Sequence, residues 1–592
     1  MSLQRSILAV ILALLPATQA RAEDPLRIGE RVGKLKFVDI RYLPRTLDDL
    51  GAKKASVLVF TNTSCPQANR YFPTLKSLAM EYRDKDVQFV AVNSAEEDSV
   101  VDMAAQAVRL DVEFPFVKDF GAVCAHTLGV RRTPEVVVID ANKRLRYRGR
   151  IDDQYRLGGP RPAPTRRDLK EALDAVLAGR MVTSTETEVD GCPITFPKPE
   201  KSREVTYAAH VAPILEKHCW ECHRAGGSAP FSLTGYKAAS ARAEAVAEVV
   251  TEQRMPPWFA QHTFGPFTNR RGLSDEERET VARWARSGAA AGDLSKAPAA
   301  PKEPESKWRI AAPDLVIQSR ELELPAAGDI PYTYVLLPHI FTEETWIEAA
   351  EIVSDNPTVL HHANLAFANL TEGIKESNFV TGNVPGGEPM TFGEGTAFCI
   401  PKGSVLGLQI HFVTTGKPEK CRVSVGLRYP RGIVQRRLRN IQLTDHRFAI
   451  PPGAPAHKVA ASRILDCDAV GVGLFSHMHL RGKDMTFTAH LPGGNSETLL
   501  MIPNYSFSWQ LPYRWEPGKK QLPKGTRLEC VAHYDNSPFN PYNPDPKATV
   551  RNGPQTHNEM MYGFFFYTDA AEKLALRIDP KTGTVLKKEE KR

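Results

Sequence analysis

The pattern of apolar and polar positions changes character twice along the chain. Between Ala55 and Asp140 three short apolar runs, A-S-V-L-V-F-T, V-Q-F-V-A-V-N and E-V-V-V-I-D, alternate with stretches at Arg70 to Tyr82 and Val100 to Leu110 whose apolar residues recur at helical spacing. Buried strands separated by amphipathic helices predict an α/β layer. From Tyr207 to Arg286 strand character fades, and the pattern predicts helices over Tyr207 to His218, Ala238 to Glu252 and Ser274 to Arg286. Ser274 followed by Glu277 is a capping box, which fixes the start of the last helix. From Asp314 onward short alternating segments take over, among them Y-T-Y-V-L-L, G-L-Q-I-H-F, M-T-F-T-A-H-L and M-Y-G-F-F-F-Y. Period-2 runs broken by Pro and Gly predict antiparallel sandwiches, and roughly 280 residues of them predict two.

Two stretches without apolar period separate these blocks: residues 182–202, and the Pro, Ala and charge-rich residues 294–307. They predict a multidomain chain with an α/β domain over residues 26–180, an all-α domain over 203–293, and all-β, jelly-roll-like sandwiches over 313–445 and 446–592.

Composition changes this picture in two places. A net charge of +7, from 76 Lys and Arg against 69 Asp and Glu, is spread thinly with no basic block, which argues against nucleic acid as a partner. At the N-terminus Arg5, the apolar run Ile7 to Leu15 and Ala20-Arg21-Ala22 have the form of a secretory signal peptide over residues 1–22. The expectation is therefore an exported protein, periplasmic or secreted, with no membrane span after cleavage, since no later run is long and apolar enough. Nine cysteines, an odd number, leave at least one without an internal disulfide partner.

Three motifs carry candidate chemistry. Cys219-Trp220-Glu221-Cys222-His223 is C-x-x-C-H, in which two thiols add to the haem vinyl groups and the histidine ligates iron. With M-P-P-W at Met255 to Trp258, the block resembles a bacterial class of cytochrome c domain. That resemblance implies one covalently attached haem c with Met255 as distal ligand and His262 as the substitute.

In T-N-T-S-C-P-Q-A-N-R, Cys65 falls between a strand and a helix, where free amide groups and the helix dipole favour thiolate. With Thr133-Pro134 before a strand, where thioredoxin-like folds keep a cis-proline, residues 26–179 resemble the thioredoxin superfamily, nearest its peroxiredoxin-related branch. Ala68 replaces the second cysteine of a C-x-x-C pair, and Leu58 and Asn62 stand where a peroxidatic motif has Pro and Thr. Cys124 and Cys192 are the available second thiols.

The third motif is His477-Met478-His479, whose imidazoles share one face of a strand. His361-His362, His411 and Met560 lie in the same region. Adjacent histidines diverge in a regular strand, so His361 and His362 can share a metal only through a bulge or strand end. The region resembles the type II copper, ascorbate-dependent monooxygenases, the family of peptidylglycine and dopamine hydroxylases. The resemblance implies two copper ions, one held by His361, His362 and His411 and one by His477, His479 and Met560, with Met560 preferred over Met561 because it follows Glu559. Two nitrogens and a thioether suit Cu(I). Disulfides Cys399–Cys421 and Cys467–Cys530 are expected around the two sites.

The expected activity is hydroxylation of a C–H bond by dioxygen at the His477, His479 and Met560 site. The substrate is a small molecule or a peptide, and electrons come from an ascorbate-like donor or redox protein, relayed by the fused haem. The rivals are a non-oxygenating electron-transfer or redox-sensing protein, and a thiol-dependent peroxidase or disulfide exchanger using Cys65.

Overall fold

The computed structural model describes residues 24–156, 158–196, 204–303, 305–328, 330–369, 373–384 and 387–586. The expected signal peptide and the end of the first linker lie outside them. Among the described residues no helix is long and apolar enough to cross a membrane.

The three apolar runs are the strands Ala55–Thr61, Val87–Asn93 and Glu135–Asp140 at the centre of a seven-stranded sheet. The first two run parallel and the third antiparallel. Pro66–Arg83 and Asp168–Leu177 bury Tyr71, Leu75, Leu169 and Leu173 against one face, and Val123–Leu128 covers the other. The helix Val100–Arg109 starts at a capping box between Ser99 and Asp102.

In the second block the capping box forms as read: Glu277 N–H donates to the Ser274 hydroxyl at 3.2 Å and Ser274 N–H to the Glu277 carboxylate at 2.8 Å. Trp284 and Val281 of that helix join Tyr207, Val211 and Leu215 in a small core of their own. The stretch expected as one helix over Tyr207 to His218 opens with a π turn, Tyr207–Val211, and Ala238 to Glu252 divides into Tyr236–Ser240 and Ala243–Thr251.

The C-terminal region is β-rich as expected, with two further cores. In the first module the sheet containing Thr333–Phe341, Ser404–Phe412, Leu360–Asn369 and Gly373–Asn383 lies over one containing Leu315–Gln318, Val423–Arg428 and Ala349–Ser354. In the second, Ala469–His477 and Tyr562–Asp569 pair in one sheet, and His457–Ile464, Arg527–Tyr534, Gly482–His490 and Ser496–Ile502 form the other. Arg439–Thr444, placed by the sequence at the end of the first sandwich, pairs with Tyr562–Asp569 in the second.

The blocks pack on one another. Arg41 of the α/β domain reaches Asp535 at 3.2 Å with both side chains buried, and Arg45 lies over the Phe539 ring. The segment after the M-P-P-W motif docks on the second sandwich: Gln261 N–H donates to the Met501 carbonyl at 2.9 Å, Thr268 N–H to that of Arg514 at 2.8 Å, and Phe267 packs against Tyr513 and Trp515. The haem-motif block is therefore seated against the histidine-bearing region by its own chain.

Candidate metal and thiol sites

Leu360 pairs with Phe412 and His362 with His411, so the register slips by one residue at His361. This is the irregularity that adjacent ligands require: the extra residue turns the His361 ring to the side that His362 already faces. The Nδ1 atoms of His361 and His362 lie 3.1 Å apart, and ligand nitrogens of His361, His362 and His411 lie within 4.8 Å of one another. Tyr332 packs on the His362 and His411 rings. His362 Nε2 is buried with no hydrogen-bond partner among the described residues. A buried nitrogen in that state is destabilising unless something else fills its lone pair. Burial, then the neighbouring His411 and His477, holds the His362 imidazole well below the usual range and so keeps it neutral.

His477 and His479 are positioned differently. The strand ends at His477, and His479 lies two residues beyond, yet alternation persists: Met478 points into the core, its N–H donating to the Tyr505 hydroxyl and its carbonyl accepting from it. The two rings stand 5.1 Å apart at 86°. His477 Nδ1 faces the Gln510 side-chain oxygen at 2.7 Å and His479 Nδ1 the Asn558 carbonyl at 3.2 Å. Both acceptors fix the proton on Nδ1 and leave Nε2 as the donor atom toward a metal.

Glu559 is fully buried and accepts from the main-chain N–H of His479 at 2.9 Å and of Arg481 at 2.6 Å. Burial pushes its carboxyl up to about 8, against the pull of those amides and the Arg481 guanidinium. It ties the H-x-H turn to the segment carrying the methionines. Met561 is in the core and Met560 is half-buried, with its carbonyl accepting from the Tyr534 hydroxyl at 2.7 Å.

One ring touches both histidine groups. Phe507 lies 5.9 Å from His361, 6.1 Å from His362, 6.4 Å from His411 and 5.9 Å from His479. It belongs to the loop N-Y-S-F-S-W-Q, which also supplies Tyr505 and Gln510. Sequence reasoning missed this loop, Glu559 as a structural tie, and Tyr332; none contains a metal-ligand type in a recognisable spacing.

In the all-α block Cys219, Cys222 and His223 follow the helix Ala212–His218, and all three are partly exposed. His223 Nδ1 faces the Phe231 carbonyl at 3.1 Å, which again leaves Nε2 as the nitrogen for a metal, and its ring packs on Phe231. Burial pushes the Cys219 thiol up to about 12. Met255 follows the helix Ala243–Thr251. His262 Nδ1 lies 3.3 Å from Asp102 of the α/β domain, so it serves the junction between blocks.

The expected disulfides are corrected: all nine cysteines are free. Cys399 packs with Trp346 and Val434 on one sheet, whereas Cys421 belongs to another and lies 3.1 Å from the Ser354 hydroxyl. Cys530 sits deep under Phe487 while Cys467 stays near the surface.

Cys65 caps the helix Pro66–Arg83, its sulfur accepting from Ala68 N–H at 3.5 Å. Thr133-Pro134 is cis, as the resemblance implied, and the Cys65 thiol donates to the Thr133 carbonyl at 3.2 Å. Burial raises the thiol, but the neighbouring Cys192 and Thr133 side chains and the Ala68 amide outweigh it and leave Cys65 below an ordinary thiol.

A family model described as Redoxin matches residues 44–158. Thiol-disulfide oxidoreductase ResA of Halalkalibacterium halodurans is 30% identical over 114 residues, 19% of this chain and 63% of that protein, so the chain spans less than two thirds of this relative. Among solved structures, a hypothetical protein from Sinorhizobium meliloti 1021 is 27% identical, with 30% of this chain covering 98% of it at a TM-score of 0.28. A putative thiol:disulfide interchange protein DsbE from Chlorobium tepidum is 22% identical, with 26% of this chain covering 99% of it at a TM-score of 0.22. Residues 44–158 are therefore a redoxin domain of thioredoxin-like fold, ahead of a large β-rich region.

Proposed function

We propose that this chain is an exported copper-dependent monooxygenase that hydroxylates a C–H bond of a small-molecule or peptide substrate with dioxygen. The observation that supports this reading is the gathering of five imidazoles into a group of three and a group of two, with the Phe507 ring in contact with members of both. The donor sets fit copper: the His477 and His479 imidazoles, whose Nδ1 hydrogen bonds leave Nε2 for a metal, a buried His362 Nε2 with no partner among the described residues, and the half-buried Met560 thioether on the segment that Glu559 ties to the H-x-H turn. Copper bound there supplies one-electron chemistry toward dioxygen.

The residues of the chain do the rest. Gln510 and the Asn558 carbonyl hold the His477 and His479 tautomers, and Glu559 fixes the turn between them. Tyr332 packs on the His362 and His411 rings and Phe507 on His361, His362, His411 and His479, which limits how those rings can turn. In the all-α block Cys219 and Cys222 would hold haem c through thioether bonds, with His223 and Met255 as the candidate ligands of its iron, which would supply an electron relay. The docking of residues 261–269 on the second sandwich holds that block close to its acceptor.

The test is exposure of copper-loaded protein to labelled dioxygen with a reductant, followed by mass analysis of products. Incorporation of one labelled oxygen atom, abolished by Met560→Ala with copper still bound at the three-histidine group, is expected. Unchanged oxygen uptake in that variant contradicts the reading.

A second reading, favoured by the capping position and lowered pKa of Cys65, is thiol–disulfide exchange by the redoxin domain. The two activities occupy different blocks and do not compete for residues.

A further inference from the structure

The segment after the redoxin domain has no apolar period, yet it is fastened to that domain through its main chain. Arg148 N–H donates to the Thr185 carbonyl at 3.0 Å and Thr187 N–H to that of Arg148 at 3.2 Å. Farther on, Cys192–Pro193 pairs antiparallel with Arg132–Thr133, with Cys192 opposite Thr133, and Ile194 N–H donates to the Arg131 carbonyl at 2.9 Å. Arg132 clasps the Gly191 carbonyl at 2.7 Å. A Cβ on Gly191 would lie 2.1 Å from the Thr133 carbonyl oxygen, so the strap comes this close only because the residue is glycine.

Thr133 is also where Cys65 ends, its S–H donating to the same carbonyl. The strap thus sets Cys192 opposite Thr133, beside the carbonyl to which Cys65 donates, and the Cys192 thiol and amide are near enough to help hold the Cys65 thiol below its ordinary range. Cys65 is 0% exposed, whereas Cys192 is half-buried. Cys124, the other available thiol, is turned away: its S–H donates to the Lys36 carbonyl at 3.2 Å inside the core.

We propose that Cys65 and Cys192 form a reversible disulfide, with Cys192 as the entry sulfur, through which the redoxin domain exchanges two electrons with dithiol peptides. This inference rests on the thiol-exchange reading and supplies the second thiol that Ala68 removes from the motif. In the oxidised form a peptide thiolate attacks Cys192 Sγ; the Cys65–Cys192 bond breaks and Cys65 leaves as thiolate. The peptide's second thiolate then attacks its own sulfur in the mixed disulfide, forming the peptide disulfide and releasing Cys192, which takes up a proton. Reoxidation by a small-molecule disulfide runs the same path backwards: Cys192 attacks it and expels one thiol, and Cys65 attacks Cys192 Sγ and expels the second. The acidities suit this polarity, because burial and the facing Cys65 push Cys192 up to about 11 while Cys65 sits below an ordinary thiol and is the better leaving group.

The experiment treats the full-length chain with oxidised glutathione and maps disulfides by mass spectrometry of unreduced peptides. A linked Cys65–Cys192 peptide pair is expected, with Cys65→Ser retaining glutathione on Cys192. Gly191→Val, which forces the strap off Thr133, lowers the linked product at least tenfold and opens Cys65 to glutathione. Stable glutathione on Cys65 of the native chain, with Cys192 free, overturns the pair and leaves exchange at Cys65 standing. Cysteines that stay unmodified in every variant overturn both.

Discussion

The two histidine groups meet the same requirement by opposite means. His361, His362 and His411 are aimed by the backbone: a one-residue slip in register and a direct cross-strand pair bring three rings together. His477 and His479 sit at and beyond a strand end, and are held by Gln510, the Asn558 carbonyl and the buried Glu559. Geometry imposed by a sheet costs little to keep but is hard to adjust; geometry imposed by hydrogen bonds is adjustable and easily lost. The proposed division of labour follows that difference, with the rigid group passing electrons and the hydrogen-bonded one meeting substrate and oxygen.

Ligand deletion should break the comparison outright. His362→Ala is expected to halve the copper bound per chain and abolish hydroxylation, and His479→Ala to do the same through the other group, as elemental analysis after dialysis would report. Loss of both metals in either variant would mean that the groups are one site. Removing a support should separate the groups more finely. Gln510→Leu is expected to weaken copper at the two-histidine group by about 10–100-fold, the usual effect of losing a hydrogen bond to a ligand's second nitrogen, with the three-histidine group unmoved in competition titrations. Glu559→Ala leaves the buried His479 and Arg481 amides without their acceptor, and should cost about 1–3 kcal/mol for each in denaturant unfolding. The smallest effect is expected for Phe507→Leu, which loses aromatic contacts of about 0.5–1.5 kcal/mol and should change the rate of electron transfer between the groups more than the affinity of either.

What the sequence made legible follows the same line. The strands Ala55–Thr61, Val87–Asn93 and Glu135–Asp140 and the capped helix after Ser274 were readable because side-chain burial and capping write themselves into residue type. The bulge at His361 was readable because two adjacent ligands demand it. The strap at Gly191 and Cys192 was not, since main-chain hydrogen bonds hold it and leave no apolar signature; the segment reads as a linker. The loop carrying Tyr505, Phe507 and Gln510 was hidden for a related reason, because its contribution lies in what it touches across the fold. The disulfide expectation failed because sequence bracketing says nothing about which sheet a strand joins: Cys399 and Cys421 are on different ones.

Copper stoichiometry with ligand assignment tests the central claim most directly. Holoprotein reconstituted with copper and examined by elemental analysis and X-ray absorption should hold two ions per chain, with imidazole nitrogen at both and a sulfur scatterer that vanishes in Met560→Ala. Protein that binds no copper, or binds it with a spectrum indifferent to His362→Ala, His479→Ala and Met560→Ala alike, would contradict the account.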